Sequence, residues 1–248
     1  MANFMTDGYS DYFEKTDPKK VEHFLLERVK KNKLRVQTIA SIIKTKLDKS
    51  LNGLTILEFG CSTGYASREF ALMGNQCAGV DVSQEVIDIA RKDHQNIAKL
   101  SFVKISDALP FPDKSFDIVF SSEVIEHVPI DQRRQYFKEF RRVMKDNGAG
   151  YISFPNFWFP LEPHYLIPFH HWVQRLWPRE GLEYEDIPSK YGIRKALQEY
   201  FEVLDVTREF LESDYVSSYY SRSKVLLAKW LSRTPMSIQD YLLLTPRR

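Results

Sequence analysis

The sequence predicts an α/β fold: one domain with a doubly wound, mostly parallel sheet and helices on both faces. Two observations support this prediction. Short apolar runs recur along the chain, several of them ended by an acidic residue or a glycine turn. Between them lie segments whose apolar residues recur at helical spacing. This alternation of strand and helix is typical of parallel sheets.

The composition is that of an ordinary globular protein, and we treat residues 1–248 as a single domain. The chain is 43% hydrophobic and 27% charged, with a formal net charge of +2. So small a charge gives no reason to expect nucleic acid as a partner. We find no bilayer-spanning apolar run and no signal-peptide core, so we expect a cytoplasmic protein. Cys61 and Cys77 show no metal-ligand spacing and are expected to be reduced thiols.

Residues 1–50 are predicted to form an N-terminal helical cap. Asp17 followed by Pro18 is a typical helix start. The apolar stripe then continues to Leu47, with a break expected near Asn32. We expect the basic side chains in this stretch to form a solvated helix face; they are Lys30, Lys31, Lys33 and Arg35.

The first strand is predicted at Leu54–Phe59, and the next helix at Tyr65–Met73. Gly60 and Gly64 bracket the turn between them, where small residues let a ligand approach the backbone. The spacing G-x-x-x-G differs from the G-x-G-x-x-G of dinucleotide sites. Glu58 would place a carboxylate at the strand end, which repels a pyrophosphate but attracts a cationic amino-acid group.

Two further strands are predicted to end near acidic residues. Gln76–Asp81 delivers Asp81 to a strand end, where a carboxylate can accept hydrogen bonds from ribose hydroxyls. Ser83 is expected to cap the helix that follows. Leu100–Ile105 precedes Asp107, whose carboxylate can accept from an adenine amine, with the Ala108 N–H beside it.

These stretches together resemble the class I S-adenosylmethionine (SAM) methyltransferases. Leu54–Gly64 is similar to motif I of that family, with Ser62 where the usual loop has a glycine. We therefore expect a negative φ at Ser62. The string D-A-L-P-F-P-D-K-S-F-D-I-V, residues 107–119, is similar to the type-11 subgroup of the family.

The resemblance covers roughly Leu54 to Pro155 and implies a Rossmann-like sheet of seven strands. It also implies SAM as cofactor and S-adenosylhomocysteine as product. The residues expected to contact the cofactor are Glu58, Gly60, Cys61, Ser62, Thr63, Gly64, Asp81, Val82, Asp107, Ala108 and Ser122.

The segment after the fourth predicted strand, Ser115–Ser121, allows two interpretations. On a helical turn Glu123, Glu126 and His127 would share one face. A similar E-x-x-E-H occurs in small-RNA 3′-terminal and some quinone methyltransferases that hold a divalent metal. Alternatively His127 is packed, or acts as a base without metal. We expect no metal site, because the cluster supplies too few ligands.

The remaining elements complete the predicted sheet. Asp131 is expected to cap a helix reaching Lys145, and residues 146–148 to form a turn. Strands are predicted at 150–154, 201–206 and 240–245, with helices at 193–200 and 224–231. The last two strands are expected to pair antiparallel.

Residues 155–188 are predicted to be an inserted lid over the acceptor site. The segment holds three of the four tryptophans and three histidines, including His164. A packing insertion and an interfacial membrane contact are the alternatives. Part of it weakly resembles type-11 enzymes that act on glycans and lipid-linked sugars.

We therefore expect a SAM-dependent methyltransferase acting on a small-molecule, glycan or lipid-linked acceptor, with a hydroxyl as the methylated group. His127 and His164 are the candidate bases. Two alternatives stay open: a metal-dependent RNA ribose methyltransferase, and a catalytically silent SAM-binding module. The sequence does not predict the oligomeric state.

Overall fold

The computed structural model describes residues 18–106, 108–159, 188–219, 221–234, 237 and 239–247. The chain divides into two compact units, Met1–Asp107 and Ala108–Arg248. The strands of both units belong to one seven-stranded sheet, which confirms the predicted α/β fold class. That the chain is a single functional domain stays a prediction.

The first unit is a βαβαβ arrangement preceded by a long helix. Its helices and strands are α1 Pro18–Leu47, β1 Thr55–Phe59, α2 Tyr65–Leu72, β2 Gln76–Asp81, α3 Gln84–Asp93 and β3 Leu100–Lys104. The strands are parallel, in the order β3-β2-β1. Glu58 pairs with Gly79, and Asp81 pairs with Lys104. The acidic residues therefore lie at the carboxyl ends of neighbouring strands, as predicted.

Helix α1 is continuous over 30 residues, so the predicted break near Asn32 is wrong. The Asn32 side chain bonds within the helix instead: its amide donates to the Arg28 carbonyl at 2.9 Å. Its oxygen accepts from Arg35 at 2.8 Å. Local bonds of this kind let Asn remain inside a helix that tertiary packing already stabilises.

Two polar side chains, Ser83 and Asn75, fix the ends of helices in this unit. Ser83 caps α3 as predicted, and its hydroxyl accepts from the Val86 N–H at 3.5 Å. Asn75, fully buried before β2, accepts from the Leu54 N–H at 3.0 Å. The Asn75 amide also donates to the Phe70 carbonyl at 2.9 Å. A buried side chain that satisfies backbone groups on both flanks holds β1 against α2.

The second unit contains the rest of the sheet. Its elements are β4 Phe116–Ser122, a 3₁₀ turn at Ile125–His127, α4 Ile130–Val143, β5 Met144–Pro155, α5 Lys190–Leu197, β6 Phe201–Asp205, α6 Thr207–Leu211, α7 Asp214–Tyr219, α8 Arg222–Leu231 and β7 Gln239–Pro246.

Pairing in the second unit follows the order β4-β5-β7-β6. β4 and β5 are parallel, while β7 is antiparallel to both β5 and β6. The predicted antiparallel pair is thus confirmed. The predicted turn at residues 146–148 lies inside β5, where the register shifts between Phe116 and Ile118 of β4. Such an irregularity accommodates extra residues without ending the strand.

Some boundaries in the second unit differ from the prediction. Asp131 does not cap α4: the helix begins at Ile130, follows Pro129 and has no side-chain cap. Asp131 still lies in the first turn, where a negative charge is favourable. Helix α5 begins three residues before the predicted one, because Ser189 caps it by accepting from the Gly192 N–H at 3.1 Å. None of the helices in the described ranges is long and apolar enough to cross a bilayer.

Candidate functional site

The loop between β1 and α2 is tied to the neighbouring strand by its backbone. The N–H groups of Gly60 and Cys61 donate to the Val80 carbonyl at 2.8 and 2.9 Å. Gly60 and Gly64 have φ values of 74° and 77°, in the left-handed region. A Cβ at Gly64 would lie 2.4 Å from the Phe102 ring. Both the conformation and the space therefore require glycine at Gly64.

Ser62 does not have the negative φ that we expected. Its φ is 47°, so the serine adopts the left-handed conformation that the usual glycine would adopt. That conformation costs a non-glycine residue about 1–2 kcal/mol. Here it directs the Ser62 N–H to the Asp81 carboxylate, at 2.9 Å from Oδ2. A charge-assisted hydrogen bond offsets the strain.

The Asp81 carboxylate is fixed at the end of β2. Oδ2 accepts from the Ser62 N–H, and Oδ1 accepts from the Ser83 N–H at 3.0 Å. The residue is half-buried, and the following Val82 is exposed. An ionised carboxylate has about four lone-pair sites, so two backbone bonds leave capacity for two hydroxyl donors. This geometry suits the predicted ribose contact and adds a loop-anchoring role that the sequence did not reveal.

Glu58 is buried at the end of β1. Ser67 of α2 donates its hydroxyl to Glu58 Oε2 at 2.5 Å. Burial raises the pKa of Glu58 to about 7, while the Ser67 hydrogen bond and the charge of Arg35 oppose the rise. A nearby cation would stabilise the ionised form. A ligand ammonium group would supply one, as the predicted SAM contact requires.

Arg35 is a correction to the predicted solvated face of α1. Lys30, Lys31 and Lys33 are exposed, but Arg35 is half-buried. Its charge acts on Glu58, which brings α1 into the electrostatics of the site. Helical periodicity could have indicated this, because Arg35 lies four residues before Ile39, and Ile39 is fully buried.

The side chains of the loop residues Cys61 and Thr63 are buried. Cys61 packs with Ile87, Ala90 and Phe102, and burial raises the pKa of its thiol. Its contribution to a ligand would therefore come from its backbone. Both cysteines are free and buried. Thr63 Oγ1 is also buried and has no hydrogen-bond partner in the described part of the chain. Such an orphaned hydroxyl next to a glycine turn fits a loop that binds a polar ligand.

His94 is a component of the loop that sequence reasoning missed. Its Nε2 lies 3.0 Å from the Thr63 carbonyl oxygen. A carbonyl can only accept, so Nε2 carries the proton. The ring also meets Tyr65 edge-on, with centroids 5.1 Å apart. Burial lowers the pKa of His94, so the imidazole is held neutral. No periodic pattern or motif in the sequence indicates this contact.

Two residues named by the sequence analysis lie at the end of β4: Ser122 is its last residue, and Glu123 follows it. The Ser122 hydroxyl lies 2.9 Å from that of Ser153. Glu123 has a φ of 58°, and its N–H donates to the Ser153 carbonyl at 2.9 Å. The Glu123 Oε1 atom accepts from Gln239 Nε2 at 3.0 Å. The Glu123 carboxylate is thus oriented by β7.

Glu123, Glu126 and His127 do not share a face, contrary to our expectation. Glu123 precedes the 3₁₀ turn, Glu126 is buried and His127 is exposed. The left-handed φ at Glu123 breaks the helical spacing on which the expectation depended. Within the described ranges no three His, Cys, Asp or Glu side chains form a group that could hold a metal ion. That catalysis needs no metal stays a prediction.

Several predicted positions lie outside the described residues. They include Asp107, His164 and most of the predicted lid, 155–188. Ala108 is described and exposed. At the two edges of the lid, the Phe157 N–H donates to the Pro188 carbonyl at 3.0 Å. Phe157 and Pro188 are therefore adjacent in the structure, and the predicted lid stays a prediction.

Comparison with known proteins gives a match that includes the loop between β1 and α2 and most of the neighbouring strands. Residues 57–152 match a family model described as a methyltransferase domain. This part of the chain is therefore similar to a methyltransferase domain. The matched range includes Glu58, Asp81 and His127, whereas Arg35 and most of the predicted lid lie outside it.

A curated relative and two solved structures extend the comparison. A ubiquinone biosynthesis O-methyltransferase of Pelagibacter ubique is 30% identical over 108 residues, 43% of this chain and 44% of the relative. The match therefore spans less than half of that relative. A TehB-like SAM-dependent methyltransferase of Corynebacterium glutamicum has a TM-score of 0.55 at 14% identity, over 93% of this chain and all of that one.

The second structure is the phosphoethanolamine N-methyltransferase 2 of Haemonchus contortus, in complex with phosphomonomethylethanolamine and S-adenosylhomocysteine. It has a TM-score of 0.58 at 18% identity, over 86% of this chain and 52% of that one. At these identities the two structures establish the fold of this chain.

Proposed function

We propose that this protein transfers the methyl group of SAM to a small-molecule acceptor. The observation that supports this most is the position of two carboxylates in the matched range. Glu58 and Asp81 end neighbouring parallel strands, and Ser62 of the intervening loop bonds to Asp81. Glu58 suits an ammonium group, and Asp81 suits ribose hydroxyls. SAM contains both groups, because it is an amino acid joined to a nucleoside.

SAM itself supplies an activated methyl group on a sulfonium with a good leaving group. In our proposal Glu58 binds its ammonium and Asp81 its ribose, while the loop from Gly60 to Gly64 places backbone next to the methionine part. The predicted adenine contacts are Asp107 and Ala108. The buried Thr63 hydroxyl has no hydrogen-bond partner in the described part of the chain, so it is available to a polar ligand. The buried Glu58 carboxylate has a raised pKa, so a cationic ligand would stabilise its ionised form.

We propose a hydroxyl as the methylated group. The hydroxyl oxygen attacks the methyl carbon, the carbon–sulfur bond breaks, and its electron pair goes to sulfur to give S-adenosylhomocysteine. The hydroxyl proton passes to a base, for which His127 and His164 are the candidates. The named reaction of the Pelagibacter relative, O-methylation in ubiquinone biosynthesis, supports a small-molecule hydroxyl acceptor. Glycan and lipid-linked acceptors stay within the proposal.

The test is release of S-adenosylhomocysteine from SAM, measured with a panel of phenolic, glycan and lipid-linked hydroxyl acceptors. We expect turnover with one acceptor class, and retention of that turnover after dialysis against EDTA. Loss on chelation with recovery on Mg²⁺, Mn²⁺ or Co²⁺ would instead support the RNA-type alternative. SAM binding without turnover on any acceptor would support the silent module.

Two substitutions identify the base. If His164 is the base, His164→Ala lowers turnover by roughly 10²–10⁴-fold with little change in SAM affinity. If His127→Ala has that effect instead, His127 is the base, and it lies in the 3₁₀ turn that follows β4. His23→Ala, on an exposed histidine of α1, is the control and should leave turnover unchanged. An acceptor that needs no base would leave all three variants active.

A further inference from the structure

Helix α8, Arg222–Leu231, presents apolar side chains to solvent as well as to the protein. Leu226, Leu227 and Trp230 are 59%, 54% and 62% exposed. Ala228 and Leu231 of the same helix are buried. The packing of the unit therefore covers only part of the apolar surface of α8 and leaves Leu226, Leu227 and Trp230 exposed. Three large apolar side chains exposed on one ten-residue helix mark an interaction surface.

Basic residues border this exposed face. At helical spacing Leu226 and Trp230 are four residues apart and lie on one side, with Leu227 next to them. Arg222 lies one turn before Leu226, and Lys229 lies one residue before Trp230. Arg222 is in the first turn, where the helix dipole disfavours a cation, so its charge does not serve the stability of α8.

The acidic groups near the helix do not cancel this charge. The sequence of α8 contains no Asp or Glu. Glu212 is close enough for Lys229 and Arg233 to help lower its pKa, but its side chain bonds foremost to Arg208 at 3.1 Å. The face made of Leu226, Leu227, Trp230, Arg222 and Lys229, with Arg233 just after the end of the helix, therefore combines apolar side chains with net positive charge.

We propose that this face docks onto a membrane surface that contains anionic lipids. Leucine and tryptophan side chains would enter the boundary between headgroups and acyl chains, where the tryptophan ring is favoured. The arginines and the lysine would lie at the level of the lipid phosphates, each adding to the affinity. The inference goes beyond the proposed methyl transfer and depends only on the second unit.

A second copy of the chain fits this face less well. In a two-fold symmetric contact the same patch meets itself, so basic residues would face basic residues across the interface. Three apolar side chains also cover far less than the roughly 800 Å² per partner of a stable protein interface. An anionic lipid surface satisfies both the apolar side chains and the charge.

Sedimentation with lipid vesicles tests the proposal on the full chain. The probes are phosphatidylcholine vesicles with and without a quarter of phosphatidylglycerol. We expect binding to the anionic vesicles that weakens at high salt. Leu226→Ser with Trp230→Ser should reduce the partition coefficient by about tenfold or more. Arg222→Gln and Arg233→Gln should each reduce it by about fivefold.

The matched control is Leu72→Ser on α2, which removes a leucine that is also 55% exposed but lies outside this face. It should bind vesicles like the unchanged protein. Circular dichroism confirms that each variant is folded, and the two arginine variants test the face without touching its apolar part. Equal binding to both vesicle types, no binding to either, or equal losses in the Leu72 control would overturn the proposal. So would a dimer that the Leu226/Trp230 variant dissociates.

Discussion

The carboxylates of Glu58 and Asp81 lie in different environments although both end strands of the same unit. Asp81 is half-buried and accepts two backbone N–H groups, whereas Glu58 is buried with one serine donor. A buried carboxylate whose hydrogen-bond donors are only the neutral groups of one serine is costly to ionise. At the residue scale, the site is therefore preorganised at Asp81 and sensitive to protonation at Glu58.

The protonation of Glu58 predicts a pH dependence of stability. Its pKa is about 7 in the folded chain against an ordinary 4.5, so between these values the folded state holds one proton more than the unfolded state. The contribution of Glu58 to the free energy of unfolding therefore falls as pH rises from about 4.5 to about 7. Relative to the unchanged protein, Glu58→Gln should gain on the order of 3 kcal/mol across that window.

Urea unfolding at pH 5, 6, 7 and 8 measures this difference. Glu27→Gln, on an exposed glutamate of α1, is the control and should keep a constant difference. A Glu58→Gln difference that stays flat with pH would mean that Glu58 titrates normally in the folded chain.

Gly64 is predicted to be far less replaceable than Gly53. Both have positive φ, but a Cβ at Gly64 meets the Phe102 ring, whereas nothing lies within 4 Å of one at Gly53. Gly64→Ala should lower the free energy of unfolding by about 2–4 kcal/mol, from strain and overpacking together. Gly53→Ala should cost only about 1–2 kcal/mol, from strain alone. Equal losses in denaturant unfolding would show that the Phe102 contact is unimportant.

At the scale of elements, the buried strands were predictable and the strained residues were not. Leu54–Phe59 and Gln76–Asp81 contain mostly apolar residues because parallel strands are buried on both faces. Ser62 and Glu123 adopt left-handed conformations because their N–H groups meet Asp81 and Ser153, partners distant in sequence. No local pattern records such contacts.

Short helices and helix faces show the same limit. Helices α6 and α7 have five and six residues, too few for a periodic apolar stripe. The half-buried state of Arg35 depends on packing between elements, which charge patterning along α1 does not reveal. The sequence could therefore predict which strand ends carry carboxylates, but not how the loop residues bond to them.

An ion-pair network between elements leads to a prediction about stability. Lys190 of α5 lies 2.8 Å from the fully buried Asp240 of β7 and 3.0 Å from Asp205 of β6. Burial raises the pKa of Asp240 to about 6, against the opposing charge of Lys190. Lys190→Met would leave a buried carboxylate without its cation and should cost about 3–5 kcal/mol in unfolding free energy.

Thermal and urea unfolding test this network. Lys190→Met combined with Asp240→Leu should recover part of the loss, because no unpaired charge then remains. The control is Lys114→Met, which breaks an exposed ion pair with Asp146. It should hardly change the midpoints of thermal and urea unfolding. A Lys190→Met variant as stable as the control would show that the buried pair contributes little.

At the scale of the whole molecule, we propose separate functions for the residues that match the methyltransferase model and for the rest of the chain. The matched residues 57–152 carry the proposed cofactor carboxylates. The chain outside them supplies Arg35, the lid predicted at 155–188 and the exposed face of α8. Cofactor binding should therefore be separable from acceptor choice and from membrane contact by substitution.

The central claim is that SAM binds at the carboxyl ends of β1 and β2, and calorimetric titration of SAM tests it most directly. We predict one site in the unchanged protein and an affinity reduced by about 10- to 150-fold in Asp81→Ala, from loss of the charged acceptor. Asp88→Ala, on an exposed aspartate of α3, should bind normally. Unchanged affinity in a folded Asp81→Ala protein, or no SAM binding at all, would contradict the account.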